Sequence, residues 1–132
     1  MTTAAATKSP VLTVQQQIGR IQAGLSFRAV RNLQAALDLP LEKIATFLGM
    51  SRATLHRRKA KGKIDRSESE RLVRYQRLFK KAQEVFGDSG SARQWLTQPA
   101  PGLGNAKPVE FARTELGARE VENLLGRIEY GV

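Results

Sequence analysis

Hydrophobic residues recur at helical spacing along most of the chain, and glycine or proline separates the stretches. Phe27, Val30, Leu33 and Leu37 fall on one face of a helix that Ser26 caps and that ends before residue 40. A second stripe predicts an amphipathic helix of about five turns ending at Gly87. It is formed by Leu72, Tyr75, Phe79, Ala82 and Phe86. The pattern predicts an all-α fold.

The two ends of the chain have weaker patterns. Gly19 and Gly24 interrupt the apolar repeat of residues 11–25, so we expect residues 1–25 to be a leader that is partly disordered or contributes to a dimer. Residues 26–87 form the central domain. Residues 88–132 contain short helices, the last from near Gly117 to Tyr130, and we expect this module to pack on the long helix or on a partner.

Residues 41–58 have the order of side chains that a helix-turn-helix requires. Ala45 is small enough for two steeply crossing helices to touch, Gly49 suits a left-handed turn, Ser51 caps the second helix and Leu55 points inward. The long helix after it is predicted to start with a capping box formed by Ser67 and Glu70. A helical hairpin with a basic exterior is the alternative interpretation of residues 41–58.

The second helix of this motif carries many hydrogen-bond donors that suit base edges and phosphates. We expect DNA contacts from Ser51, Arg52, Thr54, His56, Arg57, Arg58 and Lys59. Arg52, His56 and Lys59 share one helix face, and replacing Arg52 or His56 should relax base preference. Lys61 and Lys63 follow the helix and should contribute to binding of any DNA sequence.

The distribution of charge supports two kinds of partner. The chain carries a formal charge of +10, with 16 Lys and Arg against 5 Asp and Glu in residues 20–81, but 5 against 7 in residues 82–132. A basic half beside a mildly acidic half suits nucleic acid on one side and protein on the other. A solvated basic surface without a ligand is the alternative, and it is how we interpret most cations on the outer face of the long helix. These are Arg71, Arg74, Arg77, Lys80 and Lys81.

The composition excludes several kinds of chemistry. The chain has no cysteine and one histidine, which excludes disulfides, cysteine zinc sites and thiol nucleophiles, and we expect no metal, no cofactor and no catalytic residue. No apolar stretch approaches the roughly 20 residues of a membrane-spanning helix, and the opening lacks a secretory pattern. We therefore expect a cytoplasmic protein without a membrane partner.

Several segments together resemble a known family. LGMSRATLHRRKAKGKIDRSESERL, AxxVFGD, ARQWLTQP, LGNAKPVEF and TELGAREVENLLGRIEYG are similar to the antitoxins of the Xre/MbcA/ParS class. The resemblance covers roughly residues 26–132 and is most specific in the C-terminal segments. It implies an antitoxin that silences a RES-domain toxin, an enzyme that consumes NAD or transfers its ADP-ribose. It also implies a homodimer that binds operator DNA to regulate its own operon.

Members of this family cover the active-site cleft of the toxin with their C-terminal region. The resemblance therefore implies that side chains projecting from the final helix contact the toxin. The candidates are Arg119, Glu120, Glu122, Asn123, Arg127, Glu129 and Tyr130. Because a cleft that holds a pyrophosphate should be basic, the three glutamates would complement it. Removing residues 117–132 should then abolish neutralisation and leave DNA binding intact. The alternative is a stand-alone transcription regulator with a C-terminal dimerisation module.

Overall fold

The computed structural model describes residues 12–131, and this part of the chain is all-α, as predicted. Within that range the chain forms eight α-helices and one short 3₁₀ helix, Pro101–Leu103. The α-helices are α1 Val14–Ala23, α2 Phe27–Leu37, α3 Leu41–Phe47, α4 Arg52–Lys61, α5 Arg66–Phe86, α6 Ser89–Thr97, α7 Pro108–Phe111 and α8 Glu115–Tyr130. Residues 1–11 of the predicted leader lie outside the described residues, whereas residues 14–23 of the same segment form α1.

Helix α5 runs through the middle of the fold. Leu72, Tyr75, Leu78 and Ala82 are buried on it, and α1, α2, α6 and α8 pack around it. The Tyr75 ring stacks on Phe47 of α3 with 5.1 Å between ring centroids, and its hydroxyl donates to the carbonyl of Val109 at 3.0 Å. Burial raises the pKa of Tyr75 because the apolar surroundings disfavour its phenolate. One buried tyrosine thus links α3, α5 and the C-terminal half.

The N-terminus of α5 differs from the prediction. Asp65 is the N-cap, and its carboxylate accepts from the backbone N–H of Glu68 at 2.7 Å. The Glu68 carboxylate accepts from the N–H of Asp65 at 2.9 Å, which completes the capping box. The predicted pair Ser67 and Glu70 has the same spacing but lies two residues too late. Glu68 is 5% exposed, so the helix begins where this buried carboxylate can reach its partners.

The C-terminal helices pack on the long helix, which is one of the two arrangements predicted. Trp95 of α6 lies against Phe86 with 5.6 Å between ring centroids, and Arg93 donates to the carbonyl of Ala36 in α2 at 2.9 Å. On α8, Val121 and Leu125 are fully buried. The two halves of the chain therefore share one continuous core.

Helix α8 begins two residues earlier than predicted. Thr114 is its N-cap and accepts from the N–H of Gly117 at 3.0 Å. Gly117 is not a helix start but a point of close contact, because a Cβ atom there would lie 1.8 Å from the Phe111 carbonyl oxygen. Only a glycine lets α8 approach the end of α7 this closely.

We expect Gly117→Ala to destabilise the protein by about 1–3 kcal/mol, because the new methyl group forces α7 and α8 apart. Urea unfolding followed by far-ultraviolet circular dichroism measures the change. Gly19→Ala is the matched control, since a Cβ atom at Gly19 meets nothing within 4 Å. Equal stability of the two variants would contradict the close contact.

Candidate functional site

The turn between α3 and α4 has the geometry that the sequence predicts. Ala45 is buried, and its carbonyl accepts from the N–H of Met50 at 2.8 Å. Gly49 adopts φ +78°, a left-handed conformation that glycine tolerates without strain. Arg71 of α5 donates to the Leu48 carbonyl at 3.1 Å and occupies the space where a Cβ atom of Gly49 would lie. The long helix therefore holds the turn in place.

Capping residues fix both ends of α4. Ser51 is the N-cap, and its hydroxyl oxygen accepts from the N–H of Thr54 at 3.1 Å. Gly62 ends the helix with φ 80°. Between them Leu55 is buried in the core. This anchoring leaves the opposite side of α4 free for a ligand.

The seven predicted DNA-contacting residues all lie on α4 or at its cap, but they occupy different surfaces. Arg52, His56 and Lys59 are exposed and line a groove that α4 forms with Leu41 and Glu42 at the start of α3.

The side of α4 opposite Leu55 presents Ala53, Arg57 and Ala60, all of them exposed. The Arg57 guanidinium donates to the Thr54 hydroxyl at 3.1 Å and is flanked by two small side chains. A helix with this surface can lie close to the floor of a major groove, with one arginine extended towards the base edges.

Arg58 has a structural partner. Its Nε donates to Glu68 at 2.8 Å and its Nη2 to Asp65 at 3.2 Å, the two capping residues of α5. The hydrogen bond from Arg58 to Glu68 raises the pKa of Arg58 above its ordinary value. We therefore leave Arg58 out of the proposed DNA-binding surface and assign it to the junction of α4 and α5.

The seven predicted toxin-contacting residues all lie on α8. Arg119, Glu120, Asn123, Arg127 and Tyr130 are exposed. Large apolar side chains lie at both ends of this face, because Leu116 is 73% exposed and Tyr130 is 79% exposed. Exposed aromatic and apolar groups amid polar ones are typical of protein interfaces.

The glutamates of α8 form a ladder of ion pairs with α5. Glu115 pairs with Arg74 at 3.2 Å, Glu122 with Arg77 at 3.2 Å and Glu129 with Lys81 at 2.9 Å. The hydrogen bond that Lys81 donates to Glu129 raises the pKa of Lys81. The sequence predicts that most of these α5 cations are solvated, and the ion pairs show that this is wrong for Arg74, Arg77 and Lys81. The signal was present, since the three glutamates recur every seven residues and so lie on one side of α8.

This ladder changes which α8 carboxylates are free to bind a partner. Of Glu120, Glu122 and Glu129, only Glu120 has no ion-pair partner within residues 12–131. Arg119 and Arg127 also have none there. The outward side of α8 is thus not acidic but mixed in charge.

In the described part of the chain, no group of His, Asp and Glu side chains is arranged to hold a metal ion. Across residues 12–131, no helix combines the length and the apolar character needed to cross a membrane.

Comparison with protein families identifies both halves. Residues 16–77 match the model of the antitoxin Xre-like helix-turn-helix domain, and residues 81–131 match the antitoxin Xre/MbcA/ParS C-terminal toxin-binding domain. The chain belongs to the Xre/MbcA/ParS antitoxin family. The two matched regions meet inside α5, so a single helix is shared by both domains.

Curated relatives agree with this assignment. An antitoxin Xre of Yersinia enterocolitica is 35% identical over 117 residues, which cover 87% of this chain and 79% of the relative. An antitoxin Xre of Photorhabdus laumondii is 44% identical over 73 residues, 54% of this chain and 49% of the relative. One from Pseudomonas putida is 34% identical over 64 residues, 48% of this chain and 40% of the relative.

Replacing Arg58 with alanine should destabilise the protein by about 2–3 kcal/mol, because it leaves the Glu68 carboxylate buried without its cation. A fully buried pair costs more to break, about 3–5 kcal/mol, but the Arg58 side chain is 22% exposed. Urea unfolding measures the loss. Lys59→Ala is the control, an exposed neighbour for which we expect a change below about 0.5 kcal/mol. Similar stability of both variants would show that the ion pair is unimportant.

Proposed function

We propose that the protein neutralises a RES-domain toxin through the outward side of α8 and regulates its own operon by binding operator DNA through α4. One observation carries the toxin-binding part. The region that matches the toxin-binding domain contains a helix that is anchored in the core on one side and exposes Leu116 and Tyr130 on another. The fold does not use these side chains internally, so they are available to a partner.

The chemistry of the toxin suggests how α8 acts. A RES-domain toxin that consumes NAD must bind a pyrophosphate, and clefts that do so present arginine or lysine. Glu120 is the α8 carboxylate best suited to such a cleft, because Glu122 and Glu129 are already paired with α5. A helix seated there excludes NAD from the cleft by occupying the same space.

The proposed DNA-binding surface is centred on Arg57. Arginine donates two hydrogen bonds to the guanine edge in the major groove, and the flanking Ala53 and Ala60 allow contact with thymine methyl groups. Arg52 and His56 lie beside it on the same exposed helix. Lys61 and Lys63, also exposed, suit phosphate contacts that do not depend on sequence.

A homodimer fits the proposed DNA-binding role. Two copies of α4 about 34 Å apart would contact a two-fold symmetric operator with half-sites one helical turn apart. Helix α1 supports self-association, because Val14 is 70% exposed, Ile18 is 48% exposed and no residue of the helix is buried.

The direct experiment is to titrate the full chain into the RES-domain toxin from the same operon and follow NAD consumption. We expect loss of activity that saturates at a fixed molar ratio. If the toxin stays active in excess chain and the two proteins elute separately on size exclusion, toxin neutralisation is disproved. Deleting α8 is a poor test, because Val121 and Leu125 are part of the core that both halves share.

Glu120→Gln should weaken toxin binding by about 3–10-fold, whereas Glu122→Gln should change it less than about twofold. The physical reason is that Glu122 already shares its charge with Arg77, while Glu120 is free to pair with a cation of the toxin. Isothermal titration calorimetry measures both affinities, and the isosteric substitutions control for shape. A larger loss from Glu122→Gln would contradict this division.

For DNA, Arg57→Ala should reduce the preference for the operator over random DNA by about 10–100-fold, the value of one bidentate base contact. Lys61→Ala should weaken binding to both DNAs equally and lower the slope of log affinity against log salt by about one unit. Fluorescence anisotropy with an operator fragment defined by footprinting gives both quantities. If Arg57→Ala also weakens both DNAs equally, Arg57 contacts only the backbone.

A further inference from the structure

Gly126 lies in the interior of α8, where glycine is unfavourable. The helix continues through Tyr130 and is capped by Gly131. The φ of Gly131 is 71°, a left-handed conformation that favours glycine at this position. Gly126 itself has no positive φ, so any L-residue could adopt its backbone conformation. Glycine destabilises a helix interior relative to alanine because it has more backbone conformational entropy in the unfolded chain and loses it on folding.

No contact within residues 12–131 explains this glycine. A Cβ atom at Gly126 would meet nothing within 4 Å, whereas one at Gly117 would collide with a backbone carbonyl. One at Gly102 would lie 3.0 Å from the Leu124 side chain. The space above Gly126 is therefore open to a partner.

The side chains around Gly126 form a shallow depression on the surface. Glu122 and Tyr130 lie one helical turn before and after it, and Lys81 of α5 forms a wall held by the ion pair with Glu129. Asn123 and Arg127 also line it and have no side-chain hydrogen bond or ion pair within the described residues. The depression thus combines a fixed wall, a largely exposed tyrosine and two unengaged hydrogen-bond donors.

We propose that Gly126 is the point at which the toxin backbone comes closest to α8, an inference that rests on the proposed toxin-binding function. The occupant is an acidic segment of the toxin. Arg127 and the amide of Asn123 supply donors for its carboxylate, and the Tyr130 ring packs beside it. Glu120 lies seven residues before Arg127 and on the same side of α8, so the basic cleft and the acidic segment contact this side about 10 Å apart along the helix.

The test compares Gly126→Ala and Gly126→Gln with the wild-type chain. Alanine should raise Tm by about 2–5 °C, since it removes a helix-interior glycine without a clash. It should nevertheless weaken toxin binding about tenfold, and glutamine should weaken it at least 100-fold, because the added atoms occupy the closest contact. Gly19→Ala is the matched control, because Gly19 also lies inside a helix with nothing within 4 Å of a Cβ atom, and it belongs to α1 rather than α8. We expect a similar rise in Tm and unchanged toxin affinity.

The outcomes are distinguishable. If the wild-type chain does not bind the toxin, the proposed function fails before the variants are compared. If the wild type binds and Gly126→Ala binds equally well, the inference is overturned and the proposed function stands. A fall in Tm on Gly126→Ala also overturns it, because the glycine would then serve the fold.

A separate experiment tests whether the toxin segment next to Gly126 is acidic. Arg127→Ala should weaken toxin binding about fivefold and reduce its dependence on salt concentration, since an exposed ion pair is screened by salt. An unchanged salt dependence would overturn the assignment of an acidic segment.

Discussion

Helix α5 must pack against both halves of the protein at once, and the rest of the structure depends on this constraint. Its first turn holds α4 through Glu68 and Arg58, and its second turn holds the helix-turn-helix loop through Arg71. Its later turns bind α8 through Arg74 and Lys81, while its buried side packs on both halves. Neither surface can therefore be treated as a separable module, even though two family domains meet within this helix.

The same contacts decide which charged side chains remain available to partners. A buried carboxylate at Glu68 requires its cation, so Arg58 is engaged although it lies on the helix proposed to enter DNA. On α8 the residues at seven-residue intervals pair with α5, which leaves Glu120, Arg119 and Arg127. Exposed ion pairs add little stability one by one. Their proposed effect is on recognition, because they remove carboxylates from the side of α8 that we propose binds the toxin.

The parts of the fold that the sequence predicts well are those decided by near neighbours. Ala45, Gly49, Ser51 and Leu55 each lie within four residues of the next, so their spacing alone predicts the helix-turn-helix. The α5 cap was mispredicted because two acceptable boxes overlap, and the contact of Glu68 with Arg58 decides between them. The seven-residue spacing of the α8 glutamates places them on one side of the helix but does not identify their partners, because the ion pairs join residues more than forty positions apart.

The role of a glycine cannot be predicted from the sequence alone, because the same residue type meets three different structural requirements. Gly49 is needed for its left-handed backbone, and Gly117 for a contact too close for any Cβ atom. In the sequence Gly126 looks no different, yet it has neither a left-handed backbone nor a close contact that excludes a Cβ atom. A glycine that weakens its helix and relieves no clash within its own chain is understandable if the clash would be with another molecule. On this argument the surface proposed to contact the toxin includes a residue with no side chain, and such a residue cannot be found by listing the charged groups of α8.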